Sequence, residues 1–305
     1  MTSRRDRRQP IALAASASLA ALVTLSAFVG ARIFASTPVH AAQAADERLV
    51  VIAKDYNEIL WALGAEDRVV GVDLSSTYPP DVRRVPTVGY HRALTAEGIL
   101  SLRPTLILHD GNIGPPHVVE QLHQLGIPMR SFEHHSDTVP GAEALMRELG
   151  AAFHKESRAE ELCAKLERDL EAARVEVARH TGRPRVVVIH FGRASNVFLV
   201  MKKESAAGKM IELAGGEMAI AGGGMGQLTS PEIIAQADPD VLLLTDYGFD
   251  RLGSETRILE LPGVAGTAAA GGHRIYRVEE HDLAYFGPRA GENVLALARL
   301  LHPPA

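Results

Sequence analysis

The chain has 305 residues, 46% of them hydrophobic and 23% charged, an ordinary globular composition with room for one large or two medium domains. A net charge of −5 leaves no electrostatic footprint for nucleic acid. Neither a Walker-type phosphate loop nor a GxGxxG after a strand is present, so nucleotide chemistry has no visible seat.

The first 45 residues differ from the rest. "MTSRRDRRQP" carries four Arg, "IALAASASLAALVTLSAFVGA" is apolar, and "STPVHAAQAA" turns small and polar. That order predicts a secretory signal peptide over 1–44, cleaved after Ala41 or Ala44, and export to the periplasm. The apolar run is also about long enough to span a bilayer, so an uncleaved anchor is the alternative. "RLVVIAK" then reads as a buried strand, and "NEILWALGAEDRVVGVD" as helix, Gly stop and strand.

Two later stretches repeat each other. "LTAEGILSLRPTLIL" (94–108) and "LTSPEIIAQADPDVLLL" (228–244) each hold Leu-Thr, a Glu, a short amphipathic helix, Pro seven residues after the Glu, and an apolar strand. A second echo pairs "EILWALGAEDRVVGV" with "KMIELAGGEMAIAG". Two echoes in one order predict two α/β lobes, each around a mostly parallel sheet, over 48–150 and 183–303. Between them, 155–181 is rich in Glu, Arg, Ala and Leu at helical spacing, and Gly182 and Pro184 end it. The expectation is two Rossmann-like lobes joined by one long helix within 151–182, moving little relative to each other, with a ligand cleft between them. Cys163, the single cysteine, falls at apolar spacing with Leu162 and Leu166 on that helix and reads as a small buried hydrophobe.

The motifs "EILWALGAEDRVVGVD", "LTAEGILSLRPTLIL", "AAGKMIELAGG" and "LTSPEIIAQADPDVLLLT" resemble the cobalamin and iron-siderophore periplasmic-binding protein family. "VGYHRALTAEGILSLRPT" and "LPGVAGTAAAGGHRIYRVEEHDLAYFGPRAGENVLALARLL" resemble its haem branch, the periplasmic haemin-binding component of bacterial haem ABC importers. The resemblance covers 48–303. It implies a protein that captures ferric haem and delivers it to an inner-membrane ABC permease dimer, without catalysis. It also implies that Tyr90 ligates the haem iron, that Arg92 is the phenol's electrostatic partner, and that Glu97 and Glu232 meet Arg pockets on the permease. The chain departs from the family pattern at "VVIAKDYNEIL", where a Gly-rich turn with Ser or Thr is usual, and at the more charged "HFGRASNVFLVMKK".

The residues themselves leave plainer readings beside these. A free phenol ionises near pH 10, so it ligates at neutral pH only where iron or a cation favours phenolate; otherwise Tyr90 caps the core edge. Alternate residues of an extended loop share a face, which sets Arg92 beside Tyr90 and turns His91 away, as a rim residue or a distal contact but not the ligand. His190, at the end of "PRVVVIH", is a candidate second axial ligand or haem-face contact, although a hydrogen-bonded histidine at a strand end is the preferred reading. Arg193, Lys202 and Lys203 either meet propionates or form a solvated face. Glu97 and Glu232 also suit helix starts. "EHHSD" (133–137) reads as a surface loop because adjacent His134 and His135 project in different directions. "AGGGMGQLTS" (221–230) lets backbone approach a ligand or cross the lobe edge. The rival functions are the same fold carrying a siderophore or cobalamin, and an exported metal-dependent hydrolase, for which no stretch supplies a convincing site.

Overall fold

The computed structural model describes residues 47–192 and 195–303; the leader expected over 1–44 and Arg193 lie outside them. The first lobe comprises β1 (Leu49–Ile52), α1 (Lys54–Leu63), β2 (Val69–Val72), α2 (Ala96–Leu100), β3 (Leu106–His109), α3 (Pro116–Gln124) and β4 (Met129–Arg130). Two helices follow, α4 (Val139–Ala152) and α5 (Glu156–Val177). The second lobe opens with β5 (Arg185–Gly192), β6 (Val197–Met201), α6 (Ala206–Leu213), β7 (Glu217–Met218) and β8 (Met225–Gln227). It continues through α7 (Glu232–Ala237), β9 (Val241–Thr245), α8 (Asp246–Leu252), α9 (Glu255–Leu259) and α10 (Ala268–Gly271). β10 (Ile275–Val278), α11 (Glu280–Leu283) and α12 (Ala290–Leu301) complete it.

Short runs such as LVVI and VLLLT are buried at every position, and apolar but for Thr245, because helices cover both faces of a parallel sheet. The first sheet runs β2-β1-β3-β4, all parallel. α1 buries Tyr56, Ile59, Leu60 and Leu63 along one stripe. Gly64 stops it in the left-handed region at φ 69°, its N–H reaching Leu60 O and Trp61 O. The echoes in sequence have a structural counterpart. α1–β2 and α6–β7 set parallel strands beside β1 and β5, and α2–β3 and α7–β9 set one on the other side.

The second sheet, in the order β10-β9-β5-β6-β8 with β7 also on β5, carries what the echoes do not foretell. β5 is eight residues long where β1 is four, and its upper half pairs antiparallel with β6, which pairs antiparallel with β8. This extension stands over the cleft.

The helix expected over 155–181 is helical over Glu156–Val177. Its end tightens into i→i−3 hydrogen bonds from Arg179 and His180, so helical geometry is lost before Gly182 is reached. Cys163 is buried on its inner stripe with Leu162 and Leu166, and burial pushes its thiol up to about 11. α12 lies along α5. Gly291 makes that approach feasible: a Cβ there would sit 2.5 Å from Asp169 Cβ and 2.9 Å from Leu166 O. One apolar cluster contains Leu60 and Leu145 as well as Leu166, Val188 and Leu297, so the two lobes share a core.

Candidate functional site

In the first sheet the chain order reverses between β1 and β3, and the crevice at their carboxyl ends is where such sheets bind ligands. A cleft of about 1020 Å³ opens there. Its first wall follows directly on the strand ends: Ala53 and Lys54 after β1, Asp73 to Ser75 after β2, and Asp110 and Asn112 after β3.

Asp73 anchors this wall. Its carboxylate accepts from Ser75 N (2.9 Å), Ser76 Oγ (2.6 Å) and Ser75 Oγ, and lies 3.4 Å from His91 Nδ1. Burial alone would raise its pKa, but hydrogen bonds from His91, Ser75 and Ser76 outweigh burial and hold it below the usual carboxylate range. Ser76 in turn accepts from Asn57 Nδ2 of α1 at 2.8 Å, tying the loop to the lobe's core.

The Tyr90 loop is fixed from its backbone. Thr87 bridges Val72 in parallel, Val88 N donates to Val72 O at 2.9 Å, and Leu74 N donates to Gly89 O at 2.8 Å. Gly89 holds φ at 101°, a conformation side chains resist, and this turns Tyr90 into the cleft. The chain then makes a tight turn: Ala93 N donates to Tyr90 O and Gly114 N to His91 O, both at 2.8 Å.

That turn corrects the reading of an extended loop. His91 does not point away; its ring lies 4.2 Å from the Tyr90 ring, between the phenol and Asp73. Arg92 is exposed at the cleft edge, where Nε donates to Asn112 Oδ1 at 2.9 Å. Among the described residues no hydrogen bond joins Arg92 to Tyr90.

The opposite wall is His190 and Gly192 of β5, Ser195, Leu199 of β6 and Met225 of β8. His190 is buried on the strand, with Nδ1 3.1 Å from Thr245 Oγ1 of β9. β5 runs two residues past it, so His190 is a wall residue two positions inside the strand. Lys54 and Glu280 close the cleft's edge with a 2.6 Å ion pair between the lobes.

This architecture has a counterpart among known sequences: residues 49–281 match the periplasmic binding protein family. The chain belongs to that family. Among solved structures, this binding protein is similar to the periplasmic heme-binding protein RhuT from Roseiflexus sp. RS-1 in apo form. The two share 35% identity and a TM-score of 0.76 over 84% of this chain and 98% of that one. It is 27% identical to the ABC transporter substrate-binding lipoprotein YvrC of Bacillus subtilis (strain 168), over 84% of this chain and 80% of that protein. It is also 27% identical to the vitamin B12-binding protein of Pectobacterium atrosepticum, over 58% of this chain and 63% of that protein.

Of the residues singled out in sequence, Tyr90, His91, Arg92 and His190 line this binding protein's cleft together. Glu97 and Glu232 are exposed at the first turns of α2 and α7, outside the lining. Lys202 and Lys203 also stand outside it; Lys203 pairs with Glu212 at 3.4 Å. His134 bonds Glu148 at 2.7 Å, and with Glu133 they form a surface group whose ligand atoms lie within 4.8 Å. Sequence reasoning missed Lys54, Asp73, Asn112 and Glu280. Position immediately after apolar strands was the signal available for the first three. Glu280 follows β10, whose place at the sheet edge no motif announces.

Proposed function

We propose that this protein captures ferric haem in the cleft and hands it to an ABC permease dimer in the inner membrane, without chemistry on the cargo. The observation that carries the reading is Tyr90, aimed into a cleft between two lobes, with His91 against its ring and His190 on the facing wall. A phenolate oxygen suits ferric iron, and ligation itself supplies the stabilisation that a free phenol lacks at neutral pH. Similarity to a periplasmic heme-binding protein over nearly its whole length supports the same ligand. In this reading Tyr90 is the iron ligand, Arg92 lends positive charge near the phenolate, and His190 contributes to the face opposite. Residues 1–44 act as the export signal, which places the mature protein in the periplasm, and 151–182 join lobes at 48–150 and 183–303.

Glu97 and Glu232 are the proposed docking points, one per lobe, for a two-fold permease. A hydrogen bond with Ser230 holds Glu232 below the usual carboxylate range, so it stays ionised. Changing both to Ala should leave haemin binding intact and suppress transfer to reconstituted transporter; retained transport removes the docking role.

Titrating haemin into the mature protein and into Tyr90→Phe tests the central claim. Wild type should develop the charge-transfer band of a tyrosinate-ligated high-spin ferric haem, and the variant should lack it while staying folded. An identical spectrum in the variant rejects Tyr90. The similarity to a vitamin B12-binding protein keeps cobalamin as the second reading, which tight cyanocobalamin binding without haemin binding would establish.

A further inference from the structure

We propose that Leu74 and Met225 are the ligand-selecting jaws of the cleft, taking opposite faces of a flat macrocycle and so favouring a planar porphyrin over a corrinoid; this rests on the haem reading above. Among the described residues, six large apolar side chains are exposed: Leu74, Leu125, Val175, Leu213, Met225 and Tyr247. Isolated ones on helix surfaces, such as Val175 of α5 and Leu213 of α6, need no explanation. Leu74 and Met225 are different. They are 51% and 47% exposed, and both line the cleft, one from each lobe.

Neither is there by slack in the chain. Leu74 follows Asp73, whose carboxylate is locked by Ser75 and Ser76, and its own N–H is held on Gly89 O, one residue before Tyr90. Leu74 and Tyr90 therefore belong to one braced wall. Met225 opens β8, paired in register with Met201, and is delivered by the glycine run that precedes it. Gly222 and Gly224 adopt φ of 103° and 64°, backbone conformations that side chains resist, and Lys202 N fastens the run on Gly224 O at 3.0 Å. The glycine-rich stretch thus presents a thioether to the cleft, with Leu199 of β6 on the same wall.

The chemistry of the occupant follows. A porphyrin offers two bare carbon faces and keeps its carboxylates at one edge. Two apolar side chains on facing walls can cover those faces while Tyr90 approaches the metal from the Leu74 side, and a polarisable thioether suits a π surface. A corrinoid carries amide arms and axial groups standing off both faces, and an iron–siderophore chelate wraps the metal octahedrally, with polar groups on every side and no flat face. Either would set polar groups on Leu74 and Met225 and leave them unpaired.

The test compares haemin, metal-free protoporphyrin IX and cyanocobalamin on wild type, Leu74→Ser, Met225→Gln and the double variant. Metal-free porphyrin reports face contact without iron ligation, so Tyr90→Phe should still bind it. Each single change should weaken both porphyrins roughly three- to tenfold, and the pair about thirtyfold or more. Leu74→Met and Met225→Leu should retain binding, and thermal midpoints should match wild type because both side chains are already half in water. Wild-type porphyrin affinity in the double variant overturns the jaws while leaving haem binding standing. Wild type that binds cyanocobalamin and no haemin overturns both readings at once.

Discussion

Where the lobes face each other across the cleft, Tyr90, His91 and Arg92 are part-buried or exposed and are held by few polar contacts. Where the lobes meet behind it, Glu58 of α1 and His281, Tyr285 and Arg289 of the last segment join in one network. Tyr285 OH donates to Glu58 Oε2 at 2.6 Å, Arg289 Nε to Glu58 Oε1 at 3.1 Å, and Arg289 Nη1 to Asp282 at 2.9 Å. The guanidinium also lies 3.6 Å from the centre of the Tyr78 ring. One tautomer of His281, with its proton on Nδ1, donates to Tyr285 Oη at 2.8 Å and accepts from Thr77 N at 3.3 Å. Burial pushes Glu58 up, against the pull of Arg289, and pushes the Tyr285 phenol well above its ordinary value. The contrast teaches a division of labour. The lobe angle is set from behind and Asp73 and His190 brace the two walls, so Tyr90, His91 and Arg92 are left to answer to the ligand.

The sharpest way to break this contrast is Arg289→Met. Removing the guanidinium leaves Glu58 buried without its cation, a class of change that costs about 3–5 kcal/mol. Urea unfolding should show that loss, while haemin affinity of the folded protein stays within about twofold of wild type. Tyr90→Phe should give the mirror image, with a lost iron spectrum and a stability change within about 0.5 kcal/mol. If both variants lose stability alike, the division fails.

Acid separates two buried groups of opposite sign. Burial lowers His281 to about 4 in the folded protein, against its ordinary value of 6.5, with Lys54 and Arg289 adding to the shift and Glu280 opposing it. The unfolded chain binds the proton first, so this contribution is complete above about pH 6.5 and is lost as pH falls through about 4. Burial raises Asp55 from 3.8 to about 6, with Asp110 adding to it and a 2.5 Å bond from Ser136 Oγ opposing it. Here the folded protein binds the proton first, so its contribution is complete below about 3.8 and is lost as pH rises through about 6. His281→Gln should therefore show stability falling from pH 4 to 6 relative to wild type, and Asp55→Asn the reverse. The two curves should diverge by about 2–3 kcal/mol for each group at most. Parallel curves would mean that neither site keeps its burial in solution.

Lys54 and Glu280 sit at the border of the two regions, each partly exposed, at 2.6 Å. A double-mutant cycle with Lys54→Met and Glu280→Gln should return a coupling of about 0.5–1 kcal/mol, well below the Arg289 effect. A coupling as large as the Arg289 loss would extend the rear network into the cleft.

Much of the fold was legible because repetition is a strong signal. The paired Glu–Pro spacing implied equivalent helix–strand units, and β3 and β9 occupy equivalent places beside β1 and β5. The β6–β8 extension was not legible, since "NVFLVMKK" and "MGQ" have no partner in the first lobe to be compared with. The motif picks out Tyr90, which lines the cleft, but alternation misdirects the His91 ring. Alternation holds only in extended chain, and the Tyr90–Ala93 turn cancels it. The rear network was invisible for another reason: Glu58 and Arg289 are 231 residues apart, and an isolated Glu or Arg gives no hint of burial.

Arg92 offers the finest test of the cleft side, and the smallest effect. Its guanidinium is exposed and held on Asn112 Oδ1, so any help it gives Tyr90 acts through space and through water. Exposed charge pairs of this kind change affinity by a factor of about five at most. Arg92→Ala should weaken haemin binding by about two- to fivefold, because a positive charge at the cleft edge is lost. Asn112→Ala keeps the charge but frees its carrier, so it should give part of the same loss, and the double variant should add little to Arg92→Ala alone. Wild-type affinity in Arg92→Ala would make it a surface residue. An Asn112→Ala loss that persists without Arg92 would show Asn112 acting by a second route, through His91 Nε2 at 3.4 Å or on the ligand itself.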